Sequence, residues 1–212
     1  MNKRNLIFAF TLFITIGCVG QSQKFFEGEI IYKFDFKSDR VKDPSKLLTP
    51  IIGVGSTLYF KEGNYRHDYE GGIMEFDIYN REDNKMYEKK RNNDTIYWSD
   101  CGIVSNNILD TLFKSKTDTV MGIICDQFAV RYKKGSEVHY YNSDSIRINS
   151  EWFKDFKLND EYLIDLKEKS IYLKSKNFFD FFELIETATK ISRQTIDIEK
   201  FKIPKNSILV QE

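Results

Sequence analysis

Apolar and polar side chains alternate along residues 29–37. Ile30, Tyr32, Phe34 and Phe36 fall on one side, and Lys33, Asp35 and Lys37, with Ile31, on the other. A period of two describes a strand with one face buried and one wet, as in an antiparallel sheet. A slip of one residue would bury Lys33 and Asp35, so the four large apolar residues are expected to face inward. Comparable runs recur at 57–61, 65–69, 73–79, 85–88 and 95–98. The separators between them are turn formers: Glu62-Gly63-Asn64, Gly71-Gly72, Arg81-Glu82-Asp83-Asn84 and Asn92-Asn93-Asp94. This is the pattern of a meander of hairpins.

Residues 38–56 break the alternation. Asp43-Pro44, Thr49-Pro50, Gly53 and Gly55 interrupt a stretch kept apolar by Leu47, Leu48, Ile51, Ile52 and Val54. An apolar loop beside glycines either packs under a sheet or covers a cavity as a flap, which makes these five residues the candidate ligand-binding set. Residues 105–114 read as a short helix, with Ser105 as N-cap and Ile108, Leu109, Leu112 and Phe113 on one face. Strands are expected again at 119–122, 127–133 and 137–141, a helical turn at 149–157, and strands at 162–166, 170–175 and 181–191, with a short anchor at 201–204. About ten strands with few helices form a sheet that must curl, close or fold over.

The N-terminus has its own pattern. Lys3 and Arg4 precede an apolar run from Leu6 to Ile16, the order of a secretory signal, and the run is too short to span a bilayer. Two cleavage chemistries fit. Ile16-Gly17-Cys18 resembles the end of a lipobox that would lipidate Cys18, although Thr15 stands where an aliphatic residue is preferred. Ordinary cleavage after Gly20 fits slightly better, with Cys18 and Gly20 in the small-residue positions. The expected organisation is a signal peptide over 1–20 and a single β-rich domain over 21–212, exported to the periplasm or cell envelope and without a transmembrane helix.

Composition narrows the function. Without Lys3 and Arg4, acidic residues exceed basic ones by two. Lys89-Lys90-Arg91 is flanked by Asp83, Glu88 and Asp94, so electrostatics give no support for a nucleic-acid partner. The 18 Phe and 12 Tyr favour strands and large buried rings over a helical bundle.

Catalytic signatures do not emerge. The two histidines, His67 and His139, sit in expected strands and read as strand-face residues rather than ligands. Neither H-E-x-x-H nor C-x-x-C occurs, and Gly53-Val54-Gly55-Ser56 lacks the lysine and third glycine of a phosphate cradle. No cofactor, metal or catalytic residue is therefore expected. Asp followed by Thr or Ser and an aliphatic residue occurs at Asp94, Asp110, Asp118 and Asp144. The triplet matches an O-glycosylation pattern of some exported bacterial proteins, but equally a turn-to-strand junction, which is the favoured reading. With Cys18 cleaved or lipidated, Cys101 and Cys125 remain, and an oxidising compartment makes a disulfide between them the expectation.

Five blocks carry a resemblance: FEGEIIYKF (26–34), GSTLYFKEGNYRHDY (55–69), VMGIICDQFAV (120–130), YYNSDSIRINSEWF (140–153) and ATKISRQTIDIEKFKIP (188–204). In order, they resemble a family of exported bacterial proteins of unassigned function. That family is similar in pattern to the outer-membrane lipoprotein-sorting carriers (LolA-like) and, more distantly, to the GLPGLI family, whose hexapeptide is missing after Trp152. The resemblance implies a strongly curved antiparallel sheet, a half-open barrel, with helical pieces near Leu47, Leu109 and Trp152 against its apolar concave face. Two functions fit such a domain. One is a non-catalytic binding module holding a lipid, an acylated ligand or another hydrophobic ligand in the groove. The other is a secreted structural or protein-interaction domain whose concavity is filled by its own helices.

Overall fold

The computed structural model describes residues 25–104 and 108–212. The expected signal segment 1–20, including Cys18, lies outside the described residues. Among the described residues, twelve strands form one sheet: β1 (Gly28–Lys37), β2 (Gly55–Lys61), β3 (Asn64–Glu70), β4 (Met74–Asn80), β5 (Lys85–Lys90), β6 (Thr95–Asp100), β7 (Ile108–Val120), β8 (Ile123–Tyr132), β9 (Ser136–Tyr141), β10 (Tyr172–Phe178), β11 (Glu183–Arg193) and β12 (Ile208–Gln211). Their order is β12-β6-β5-β4-β3-β2-β1-β11-β10-β9-β8-β7. Every pairing is antiparallel except that of β12 with β6, which is parallel. The fold is the expected curved open sheet with two short α-helices, α1 (Pro44–Ile52) and α2 (Glu161–Glu168).

The alternation of β1 sets the inside of the curve. Ile30, Tyr32, Phe34 and Phe36 are all buried in the main core, as expected. The registers carry the same face outward in both directions. Ile30 stands opposite Leu58 of β2, and Leu58 opposite His67 of β3. On the other side Phe34 stands opposite Glu186 of β11, Glu186 opposite Ser175 of β10, and Ser175 opposite His139 of β9. The concave face therefore carries polar residues among its apolar ones.

The β2–β3 turn shows how tightly the sheet meets its cover. Glu62 and Gly63 form a two-residue turn with φ of 50° and 84°, the left-handed pair that matches hairpin twist. A Cβ on Gly63 would lie 2.6 Å from Cβ of Trp152. Trp152 and Phe153 belong to a 3-10 turn at Ser150–Phe153, where the helical turn was expected. Phe153 packs on Phe60, Tyr65 and Tyr79 at ring separations of 6.2, 6.5 and 5.7 Å. On the opposite face, Phe76, Ile78, Tyr87 and Ile96 form a second core beneath Ile196 and Phe201, so the expected C-terminal anchor is a lid on the convex side.

Four local expectations are corrected. The apolar stretch around Leu47, a loop by its residue pattern, is helix α1, as the resemblance to the lipoprotein carriers implied near Leu47. Asp43 is its N-cap, accepting the Lys46 N–H at 3.2 Å, and Pro44 stands at the start of the helix where a missing N–H costs nothing. The expected helix at 105–114 is strand β7 over its described part, because pairing with β8 across most of its length overrides the i, i+3, i+4 spacing; Ser105 lies outside the described residues. The expected strand at 162–166 is helix α2. The Cys101–Cys125 disulfide is not formed: both are buried free thiols. Cys101 follows β6 and Cys125 lies in β8, second from opposite edges of the sheet. Each thiol has a carbonyl of its own two residues back, Ser99 at 4.0 Å and Ile123 at 3.4 Å, and packs as a small apolar group.

Candidate functional site

A cavity of about 160 Å³ lies between the concave face and the segments crossing it. Leu58 and Phe60 of β2, Phe153, Ile148, Ile171 and Ile164 of α2 form its apolar walls. Tyr65 and His67 of β3, His139 of β9 and Tyr172 of β10 enter from the sheet, and Glu161, Asp165 and Glu168 from α2.

Helix α2 is inverted relative to an ordinary surface helix. Glu161, Ile164, Asp165 and Glu168 share the face that lines the cavity, while Leu163 and Leu166 are exposed. Left-handed residues bracket it: Asn159 and Asp160 before it, with φ of 53° and 60°, and Lys169 after it, with φ of 52°. The helix is held by an ion pair. His139 Nδ1 lies 2.9 Å from Glu168 Oε1, both side chains almost fully buried. Glu137 Oε2 stands 3.8 Å from Nε2 of the same ring. A buried charge is tolerated only when paired in this way.

The second histidine is held alike. His67 Nδ1 lies 3.0 Å from Asp77 Oδ1, and Tyr69 donates its hydroxyl to Asp77 Oδ2 at 2.5 Å. Between the two histidines, Tyr172 donates to Glu186 Oε2 at 3.0 Å and Tyr32 donates to the Tyr172 carbonyl at 2.7 Å. The His139 and Tyr172 rings are 4.8 Å apart.

These surroundings move the acidities. Burial opposes the charge on His139, but Glu168 and then Glu137 outweigh it and raise the imidazole to about 10. Burial also opposes the charge on His67, and Asp77 again reverses the sign, leaving it raised. Burial pushes Glu161 up to about 7, with Glu137 adding to it and His139 opposing it. Asp165 is raised by burial and by Glu161. The cavity thus sets apolar side chains beside a cluster of carboxylates and imidazoles whose hold on protons is strengthened by burial and by one another.

None of the five expected ligand-binding residues lines this cavity. Leu48 is buried in the main core and Ile52 packs against it, while Leu47, Ile51 and Val54 face solvent. Reading along the chain placed both histidines in strands but did not bring them to one site. The signal that could have marked α2 was acidic residues at 161, 165 and 168 around Ile164, at helical spacing.

A curved sheet closing over a partly polar cavity defines the class of fold, and comparison with known proteins adds to it. No family model and no curated protein matches the chain. Among solved structures, two crystal forms of PNGF-II align with TM-scores of 0.51 and 0.52 at 13% and 14% identity, over 87% and 88% of this chain. The chain corresponds to only 30% and 32% of the length of those structures, so the likeness is one of fold over part of a longer protein. The Mycobacterium tuberculosis lipoprotein LppX aligns over 81% of this chain and 90% of its own at 8% identity, with a TM-score of 0.36. Among the described residues, no helix is long and apolar enough to cross a membrane.

Proposed function

We propose that this chain is an exported, non-catalytic binding module of the cell envelope that holds a lipid or other hydrophobic ligand against the concave face of its sheet. The observation that supports the reading is the 160 Å³ cavity, lined by apolar side chains together with His67, His139, Glu161, Asp165 and Glu168. A dry apolar cavity of about 150 Å³ holds a benzene-sized molecule. The site therefore takes a ring or the end of an alkyl chain as it stands, with a polar group of the ligand turned toward the histidines. A whole acyl chain requires α2 to move outward, which a ligand achieves only by binding the open state more tightly.

The test is uptake of a fluorescent fatty-acyl probe by delipidated protein, together with mass spectrometry of an organic extract of the protein as purified. Ile164→Trp fills the cavity from α2 and is expected to weaken probe binding at least tenfold. Ile51→Asp, on the exposed side of α1, is expected to leave it unchanged. If no lipid co-purifies and no acyl probe binds, the domain is a structural or protein-interaction module whose concavity is filled by its own segments.

A further inference from the structure

The two edges of the sheet differ. One is β12, four residues long; the other is β7, thirteen residues long, free of proline and, among the described residues, hydrogen-bonded only to β8. Long exposed edge strands are templates for pairing, and proteins that do not use them shorten, cover or break them. β7 is irregular around Lys116, where φ is 53° and the register shifts, but its regular part and the residue before it present Leu109, Leu112 and Phe113 at 53%, 50% and 44% exposure.

The regular part of β7 runs from Asp110 to Lys114, where it pairs residue for residue with β8; the register shifts on either side. Its sequence is Asp-Thr-Leu-Phe-Lys. Antiparallel pairing of this segment with itself, about a two-fold axis at Leu112, places Asp110 opposite the second copy's Lys114 at both ends. Thr111 then falls opposite the second copy's Phe113, a β-branched residue against an aromatic ring, and Leu112 meets its own copy. Each of these cross-strand pairs is favourable. Centring on Asp110 or on Lys114 opposes like charges, and centring on Thr111 leaves both charges without an opposite. Centring on Phe113 would set Asp110 against Lys116, but Lys116 has a left-handed φ of 53° and lies where the register shifts. Within the regular segment, charge complementarity therefore selects one register.

The groups involved are accessible. Among the described residues, Asp110 accepts the neighbouring Thr111 N–H at 2.9 Å and lies 3.9 Å from Arg131 at the surface. Lys167 of α2 stands over the Phe113 ring at 4.9 Å, on the cavity side of the strand, and leaves the outer row of Asp110, Leu112 and Lys114 open.

We infer that β7 is the interface for a second copy of this chain, joined antiparallel across Leu112 into one continuous sheet. The paired segment is short compared with a standard interface, so the association is weak and concentration-dependent. A closed two-fold contact of this kind uses up both edges and does not propagate.

Sedimentation velocity on the purified chain, from about 10 μM to about 1 mM, reads the outcome directly. The wild type is expected to shift from monomer to dimer across this range. Lys114→Glu is expected to weaken association by about 30-fold or more, because both ends of the pairing then oppose like charges. Asp110→Lys should act in the same way. The double variant D110K/K114E is expected to recover dimerisation to near the wild-type level, and an equimolar mixture of the two single variants should form heterodimers. Circular dichroism on each variant separates lost association from lost folding. A wild type that stays monomeric to the highest concentration overturns the inference, as does a folded K114E that dimerises like the wild type.

Discussion

His139 Nδ1 and Glu168 Oε1, 2.9 Å apart in the interior, join strand β9 to the last turn of helix α2. The bond links the sheet to an α-helix that lines the cavity, and its proton has direct thermodynamic consequences.

His139 is expected to titrate near 10, held there by Glu168 and Glu137 against the effect of burial. Its folded value lies above its unfolded one, so the stability it contributes is complete below about 6.5 and is lost as pH rises toward about 10. Glu161, raised to about 7 chiefly by burial, acts with the same sign over a lower range: its folded state also holds the proton longer, and stability falls as that proton leaves. Denaturant midpoints should therefore fall from mildly acid to alkaline pH, by a total of about 3 kcal/mol or more. In Glu168→Gln, the His139 resonance followed by NMR should titrate several units lower, and the alkaline part of the decline should flatten. An unchanged His139 titration in that variant contradicts the assignment of Glu168 as its main partner.

The thiols supply a second test. Cys101 and Cys125 are free and buried, and burial pushes the Cys101 thiol up to about 12. Both should resist a thiol reagent in the native protein and react fully once it is denatured without reductant. Reductant should leave the melting temperature unchanged. A gain of two thiols on reduction would show a disulfide.

Two glycines separate backbone conformation from crowding. Gly63 and Gly122 have φ of 84° and 80°, but a Cβ at Gly63 meets Trp152 and Arg81 within 3 Å, whereas none lies within 4 Å of Gly122. Gly122→Ala should cost about 1 kcal/mol through backbone strain. Gly63→Ala should cost more, about 3 kcal/mol, because Trp152 or the hairpin must shift. Equal losses in urea unfolding would mean that the Trp152 contact contributes nothing.

Helix α1 offers a contrast between adjacent turns. Leu48 is buried against β1 and the main core, while Ile51 is about half exposed. Leu48→Ala should destabilise by about 3 kcal/mol and Ile51→Asp by no more than about 0.5 kcal/mol. If Ile51→Asp is as costly as Leu48→Ala, α1 packs on something by its outer face.

Some of this architecture could be read locally and some could not. The alternation of Ile30, Tyr32, Phe34 and Phe36 determined which side of β1 is buried, because a period of two leaves one apolar face per strand. Glu62-Gly63 likewise marked a hairpin, since its conformation depends on those residues alone. Capping at Asp43-Pro44 was also local, but there an interruption and a helix start look alike until the following residues are seen to turn. Helix α2 could not be read from its apolar pattern, because Tyr162, Ile164 and Leu166 alternate like a strand and the helical spacing is carried by the acidic inner face. Carboxylates turn inward there only because His139 waits at the far end of a concave sheet. Nor could pattern predict that His67 and His139, on strands separated in the sheet by β2, β1, β11 and β10, would line one cavity. That meeting depends on the curvature of the whole sheet, a sum of twists and registers over many strands that no single segment encodes.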